Sequence, residues 1–387
     1  MDFRLTEAQE LVRETARDFV DREIVPHVRA WEEAGEIPRA LYDKMAKLGF
    51  LGAPVPEAYG GAGMDYVSFM LLVEEISRGS SSVRTTVSVQ TSLSETSLLW
   101  FGNETQKREW LVPLARGEKL GAWALTEPGA GSDAASLATT AALDGHEWVL
   151  NGSKRFISNA SIADYVQVYA REPGTSRHEG ISLFMVPQGT PGFTVTNVET
   201  RTKLGLRASP TADLAFDDCR IPKENLIGSP GDGWAQILKT LNSGRIGIAA
   251  GAVGVARAAL ETSVRYVKER KAFGRPIGDF QLVREMIAQS AVEIDAARFL
   301  TLRAAHLRDL GQDNTLEVSM AKLFGAQMAQ RVTDWAVQVH GGYGFSGDFD
   351  VERYYRDARI LGLYEGTNEI QKLVIAERVL GPTTRKP

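Results

Sequence analysis

The run Trp148-Val149-Leu150-Asn151-Gly152-Ser153-Lys154-Arg155-Phe156-Ile157 decides the fold. Its apolar stretches flank Asn151-Gly152, a dipeptide suited to the φ > 0 turn of a β-hairpin, and predict two paired strands at this point. Tyr165-Val166-Gln167-Val168-Tyr169, Ile181 to Val186 and Phe193-Thr194-Val195 also read as strands, separated by proline and glycine. Segment 119–232 is therefore expected to form a β domain of antiparallel character.

On either side the texture is helical. In segment 1–118, Thr6 and Gln9 form a capping-box pattern, and Leu5, Ala8, Leu11, Val12, Ala16, Phe19 and Val20 recur at helical spacing. Glycines punctuate Tyr59-Gly60-Gly61-Ala62-Gly63, and a second helical stretch carries Phe69, Leu72, Val73 and Ile76. In segment 233–387, long periodic stretches cover 234–269, 279–310, 314–340 and 367–379, with short connections that suit a four-helix bundle. The expected fold class is α+β multidomain: an N-terminal α-helical domain, a central antiparallel β domain and a C-terminal four-helix bundle.

Composition narrows the function. The 387 residues include 44 Lys plus Arg and 49 Asp plus Glu, a formal net charge of −5. That mildly acidic balance, with no long basic run, argues against nucleic-acid binding. One cysteine, Cys219, excludes an intramolecular disulfide framework and suits a reducing compartment. Met1-Asp2-Phe3-Arg4-Leu5 has no signal-peptide pattern, and the small-apolar stretch Ile246 to Ala256 is too short to span a bilayer. A cytoplasmic protein is expected. The five histidines are dispersed, so no metal site is expected. No GxxxxGK[ST], HExxH, GxSxG or strand-opened GxGxxG occurs, which removes the P-loop, zincin, α/β-hydrolase and nicotinamide Rossmann classes.

Three segments carry positive signal. Leu125-Thr126-Glu127-Pro128-Gly129-Ala130-Gly131-Ser132-Asp133 has glycines that let backbone N–H groups approach a ligand, although a tight surface loop accounts for them equally well. His340-Gly341-Gly342-Tyr343-Gly344-Phe345 follows a long helix and also reads simply as a helix end. In Tyr364-Glu365-Gly366-Thr367-Asn368-Glu369-Ile370, Thr367 can cap the next helix without a full capping box; alone, Glu365 reads as a solvated acid.

Together with Lys203-Leu204-Gly205-Leu206-Arg207, Asp218-Cys219-Arg220-Ile221-Pro222 and Arg270-Lys271-Ala272-Phe273-Gly274, these segments resemble the acyl-CoA dehydrogenase family, in family order and over nearly the whole chain. The resemblance is closest to the short-chain branch, around Glu75-Ile76-Ser77-Arg78-Gly79 and Ser88-Val89-Gln90. It implies an FAD enzyme that desaturates the α–β bond of a short- or medium-chain, plain or branched, acyl-CoA. Electrons would pass to an electron-transfer flavoprotein, and the assembly would be a homotetramer built as a dimer of dimers.

The resemblance also implies roles. Leu125, Thr126, Gly131 and Ser132 would wrap the flavin, Ser132 touching substrate as well, while Phe156, Ile157 and Ser158 cover the ring's other side. Many relatives carry tryptophan and threonine at Phe156 and Ser158; an aromatic and a hydroxyl are kept. Arg270, Phe273 and Gln281, with Gln338, Gly341 and Gly342, would hold the FAD diphosphate and adenine across a subunit boundary. Thr367, Asn368 and Glu369 would also adjoin the cofactor. Asn242, Arg245 and Gly366 would contact substrate, although relatives often have aspartate where Asn242 stands. One branch carries its catalytic glutamate just before the arginine matching Arg245. Here that residue is Gly244, so the resemblance points to Glu365 as the base. An oxidase of the same fold and a catalytically silent acyl-CoA-binding protein are the competing readings. The first is disfavoured by chain length, the second by retention of base and flavin loop.

Overall fold

The computed structural model describes residues 4–381. Met1-Asp2-Phe3, the start of the expected first segment and the last six residues of the third lie outside the described residues.

Helices α1 (Glu7–Glu23), α2 (Val28–Ala34), α3 (Arg39–Lys47), α4 (Tyr66–Gly79) and α5 (Ser81–Ser88) open the chain. A π-helical turn over Val89–Glu95 separates α5 from α6 (Thr96–Phe101), and the short α7 (Glu104–Gln106) and α8 (Val112–Ala115) close this part. Helix α1 begins where expected: Thr6 accepts from the Gln9 N–H, and Gln9 returns a bond to the Thr6 N–H. The apolar faces of α1, α3, α4 and α5 enclose Ala16, Phe19, Val20, Tyr42, Met45, Phe69 and Leu72.

The central sheet comprises β1 (Gly121–Ala124), β2 (Thr140–Asp144), β3 (Glu147–Ser158), β4 (Tyr165–Arg171), β5 (Ile181–Pro187), β6 (Phe193–Glu199), β7 (Thr211–Pro222) and β8 (Leu226–Ile227). The order is β6-β7-β3-β2-β4-β5-β8, with β1 beside β4. Most pairings are antiparallel; β1–β4 and the single β2–β4 pair are parallel.

The expected hairpin at Asn151-Gly152 is corrected. Strand β3 runs straight through it, and the tight turn is Gly145-His146, between the paired Asp144 and Glu147. Asn151 instead marks an irregularity. Leu150 pairs with Cys219 and Gly152 with Phe216, so β7 carries one extra residue there. Asp218 takes φ 46° and donates its N–H to Asn151 Oδ1. Gly152 is required because a Cβ would stand 2.7 Å from the Thr139 Cα. The asparagine–glycine chemistry therefore serves a β-bulge rather than a turn.

The third part holds α9 (Gly233–Glu269), α10 (Gln281–Asp309), α11 (Thr315–His340), α12 (Gly342–Phe345), α13 (Val351–Ala358) and α14 (Asn368–Leu380). Helix α9 packs against both α11 and α4. Its glycines permit the approach: a Cβ on Gly254 would meet the Glu74 carbonyl oxygen at 2.2 Å, and Ser77 donates to the Gly251 carbonyl. Among the described residues, no helix is long and apolar enough to cross a membrane.

Candidate active site

Glu365 lies in the connection before α14, whose first turn is capped by Thr367 accepting from the Ile370 N–H. Its backbone takes φ 51°, a left-handed conformation that is uncommon outside glycine and clusters at functional sites. Two cations hold this kink. Arg245 Nε donates to the Glu365 carbonyl at 2.9 Å, and Lys322 Nζ donates to the Gly366 carbonyl at 2.7 Å. The carboxylate gains neither bond: Oε2 is buried and has no hydrogen-bond partner. It faces Gly244 on α9, where a Cβ would come within 2.3 Å of Oε2. Burial pushes the Glu365 carboxyl up to about 7, against the lowering influence of Arg84, Arg245 and Lys322. A carboxylate near neutrality, with an oxygen aimed at open helix backbone, is suited to accept a proton from a bound carbon acid.

Asn242 sits one helical turn before Arg245. Its Nδ2 donates to Asn314 Oδ1 at 3.2 Å, and its own Oδ1 is buried without a partner. Asn242, Arg245, Glu365 and Gly366 are therefore gathered along one stretch of α9.

A second group forms where the loop after β1 meets the end of β3. The Arg155 N–H donates to the Thr126 carbonyl, and buried Lys154 donates to the Leu125 carbonyl. Glu127 anchors the loop from within, accepting from Lys154 Nζ at 2.7 Å and from the N–H groups of Ala138 and Thr139. Between Lys154 and Ile157 the β3–β7 register slips by one residue on the β3 side. Phe156 is thereby turned outward at φ 59° and left 56% exposed, while Ile157 stays buried. Opposite the chain's own packing, Cβ positions on Gly129 and Gly131 would meet nothing within 4 Å, and Ser132 is exposed. Ser158 is half-buried.

Arg270, Gln338, Gly341 and Gly342 line a separate cavity of about 590 Å³ with Tyr266, His340 and Tyr343. Gly341 takes φ 59°, and neither glycine has an atom within 4 Å of its Cβ position. Phe273, 95% exposed, and Gln281, the first residue of α10, stand outside its lining. Among the described residues no hydrogen bond joins this group to the Thr126–Phe156 group. Asn368 follows Glu365 closely and has a buried, unpartnered Oδ1; Glu369 is exposed.

These surroundings fit FAD. An exposed aromatic beside glycines that face open space can cover a planar ring system, and a guanidinium, an amide and two unobstructed glycines are the donor chemistry a diphosphate needs. Among the described residues no cluster of His, Cys, Asp or Glu could hold a metal ion. Cys219 is fully buried in β7, and burial pushes its thiol up to about 11, so it is an inert core side chain.

Two residues beside Glu365 escape the sequence reading. Lys322 lies in the first third of α11, where its neighbours disguise it as a helix-face charge. Arg84 is the one charged residue between Arg78 and Glu95. A lone charge in so apolar and small-residue a run is the signal that identifies it.

Residues 6–118 match the acyl-CoA dehydrogenase N-terminal domain, 122–219 the middle domain and 231–380 the C-terminal domain. The chain is 45% identical over 376 residues to a rat mitochondrial short-chain specific acyl-CoA dehydrogenase, covering 97% of this chain and 91% of the relative. Its fold matches a chain from a structure of the electron transferring flavoprotein of Acidaminococcus fermentans, with TM-score 0.96, 43% identity and coverage of 98% and 100%. It also matches a glutaryl-coenzyme A dehydrogenase–glutaryl-CoA complex, with TM-score 0.95, 39% identity and coverage of 100% and 99%. With all three domains matched in order, the chain belongs to the acyl-CoA dehydrogenase family, whose members depend on FAD.

Proposed function

We propose that this chain is an FAD-dependent acyl-CoA dehydrogenase in which Glu365 is the catalytic base. The observation that carries the assignment is the buried, unpartnered Glu365 Oε2, poised near neutrality against bare helix backbone. Glu365 takes the α-proton of the thioester. The pinned 365–366 backbone supports this step: with the Glu365 carbonyl turned to Arg245, its N–H is the candidate donor to the thioester oxygen, where negative charge develops as the α C–H bond breaks. Bound FAD supplies the two-electron acceptor for the hydride leaving the β-carbon, chemistry that no side chain offers. The product is the trans-2-enoyl thioester.

Leu125, Thr126, Gly131, Ser132 and the Phe156–Ser158 segment hold the flavin end, and Thr367, Asn368 and Glu369 border it. Arg270, Gln338, Gly341 and Gly342 hold a diphosphate–adenine end. Phe273 and Gln281, projecting beyond their own cavity, serve a second copy. The exposed Phe273, Leu282 and Phe345 support association with further copies, and the family resemblance supports a homotetramer built as a dimer of dimers. Asn242 and Arg245 adjoin the CoA portion. Electrons leave to an electron-transfer flavoprotein, a partner supported by the likeness to a chain from the Acidaminococcus fermentans electron transferring flavoprotein structure. The matched relatives' names span a short plain acyl chain and glutaryl-CoA, and leave the acyl group open between them.

The test is anaerobic. The purified protein is expected to be yellow and its flavin band to bleach when a short acyl-CoA is added, with recovery on addition of electron-transfer flavoprotein. A colourless protein that fails to take up FAD refutes the assignment. Rapid peroxide formation in air identifies an oxidase instead.

A further inference from the structure

Gly244, Gly247 and Gly251 recur on α9 at spacings of three and four, so they share one face of the helix. That face extends over about 10 Å at 1.5 Å per residue. Cβ atoms placed on it would meet different groups in turn. At Gly244 they are Glu365 Oε2 and Leu93; at Gly247, the hydroxyls of Ser92 at 3.5 Å and Ser88 at 3.8 Å; at Gly251, Arg84 Nε at 2.8 Å. One bare strip of α9 thus runs from the proposed base to a guanidinium, and α5 with the π-helical turn supplies the opposite wall.

Arg84 is 1% exposed. Its Nη2 donates to the Tyr364 hydroxyl at 2.5 Å, and its Nε is buried with no acceptor. The Ser88 and Ser92 hydroxyls are buried and unpartnered too. Among the described residues the other buried arginines have counter-charges or backbone acceptors at hand, although Arg353 Nε is also unpartnered. Arg78 and Arg353 meet carboxylates, while Arg171 and Arg245 donate to backbone carbonyls. Arg84 meets only a phenol, and among the described residues no carboxylate lies within ion-pair distance of it. Glu365 acts on Arg84 only through space; a buried cation without a paired counter-charge is costly, and a buried donor without an acceptor adds to that cost. A plain acyl chain would leave both conditions in place by laying methylene groups against them.

We propose that Arg84 receives a carboxylate at the far end of the acyl chain, so that the substrate class is a short ω-carboxylated acyl-CoA, a dicarboxylic acid joined to CoA through one end. This rests on the reading of Glu365 as the base, which fixes where the α-carbon lies. The guanidinium fork matches a carboxylate geometrically, and the Ser88 and Ser92 hydroxyls can donate to the same group. A methyl-ended chain of equal length leaves the fork unpaired. Sites built around a buried hydrogen-bonding group reject analogues that lack its partner far more strongly than apolar pockets discriminate by size.

The experiment compares glutaryl-CoA with pentanoyl-CoA, which differ in the terminal carboxylate, on the flavinated protein. Dissociation constants are measured by titration, and kcat/KM with an artificial electron acceptor. Glutaryl-CoA is expected to be preferred by on the order of 10²-fold or more. Arg84→Met is expected to collapse or reverse that ratio, and Arg84→Lys, which keeps the charge but loses the fork, to retain part of it. A parent enzyme that prefers pentanoyl-CoA overturns the proposal, and so does an Arg84→Met ratio equal to the parent's. If Arg84→Met does not fold, the parent ratio and the Arg84→Lys ratio decide. Flavin bleached by pentanoyl-CoA alone removes the carboxylate site and leaves the dehydrogenase standing. Preferential binding of glutaryl-CoA with no bleaching by either compound leaves the carboxylate site standing and removes the dehydrogenase.

Discussion

Gly244 and Glu365 face each other so closely that a Cβ on Gly244 would stand 2.3 Å from Glu365 Oε2. Position 244 must be bare for the carboxylate to reach its place. The two positions, 121 apart in sequence, thus address one point in space, and the identity of one constrains the other.

Glu365→Gln is expected to lower the rate of flavin bleaching by roughly 10²–10⁴-fold, the usual cost of losing a general base. Glutamine keeps the length and hydrogen-bonding capacity of the side chain but cannot accept the α-proton. Acyl-CoA affinity and FAD content should be retained. Anaerobic stopped flow on the substituted protein checks this; bleaching at the parent rate would place the base elsewhere.

The carboxyl of Glu365 titrates near 7 because burial outweighs three nearby cations, and it must be ionised to act. The free enzyme's kcat/KM should therefore rise with pH through about 7 and level above it. Lys322 is one of the groups holding that value down, so Lys322→Met should move the midpoint upward. A pH series of initial rates reads both; a midpoint that moves downward would contradict the electrostatics.

Much of the fold is legible in the sequence, for identifiable reasons. The capping box at Thr6 and Gln9 is local chemistry and forms as expected. The long bundle helices follow from periodicity, with α9 at Gly233–Glu269 against an expected 234–269. Asn151-Gly152 misleads because the same φ-tolerant pair suits a turn and a strand opposite a bulge, and only the partner strand's register separates the two. Helix α13 goes unread because its buried side includes Arg353 and Asp357, which depend on ion pairing rather than an apolar stripe. Arg84 and Lys322 become site residues only once α5, α9 and α11 converge on the 365–366 backbone.

Glu127 and Lys154 form a buried pair beneath the loop proposed to hold the flavin, 2.7 Å apart. Burial pushes Lys154 down to about 8 even with Glu127 alongside, so the ammonium depends on its partner. Glu127→Ala strands that cation and frees the N–H groups of Ala138 and Thr139. A loss of about 3–5 kcal/mol is expected, the usual consequence of breaking one side of a buried pair. Denaturant unfolding of parent and variant gives the difference, and an unchanged midpoint would contradict it.

Arg270→Ala should weaken FAD retention, because it removes the cation from the cavity shared with Gln338, Gly341 and Gly342. The loss should appear as a lower flavin-to-protein ratio after dialysis, restored by excess FAD. Full flavin retention would remove this cavity from the cofactor site, and a stable, fully flavinated monomer in solution would remove the second copy from it.

The facing of Gly244 and Glu365 permits a stricter test of the base assignment. Gly244→Glu alone should abolish turnover, because its Cβ would stand within 2.3 Å of Glu365 Oε2 and a second carboxylate would crowd the same buried space. Removing the obstruction reverses the logic. In the Glu365→Gly background, position 244 has room, and the φ of 51° at position 365 is one that glycine adopts without strain. A glutamate at 244 then starts from α9 and extends toward the place that Oε2 vacated. The Leu93 methyl 3.0 Å from the new Cβ must shift by a few tenths of an ångström, which an end-of-chain group can do. Glu365→Gly alone should be inactive, and the double substitution should recover a measurable part of the bleaching rate. Recovery in the double variant, absent from both single variants, assigns the proton transfer to a carboxylate at that point rather than to backbone geometry. Activity in Glu365→Gly equal to the parent's would show that no carboxylate is needed there.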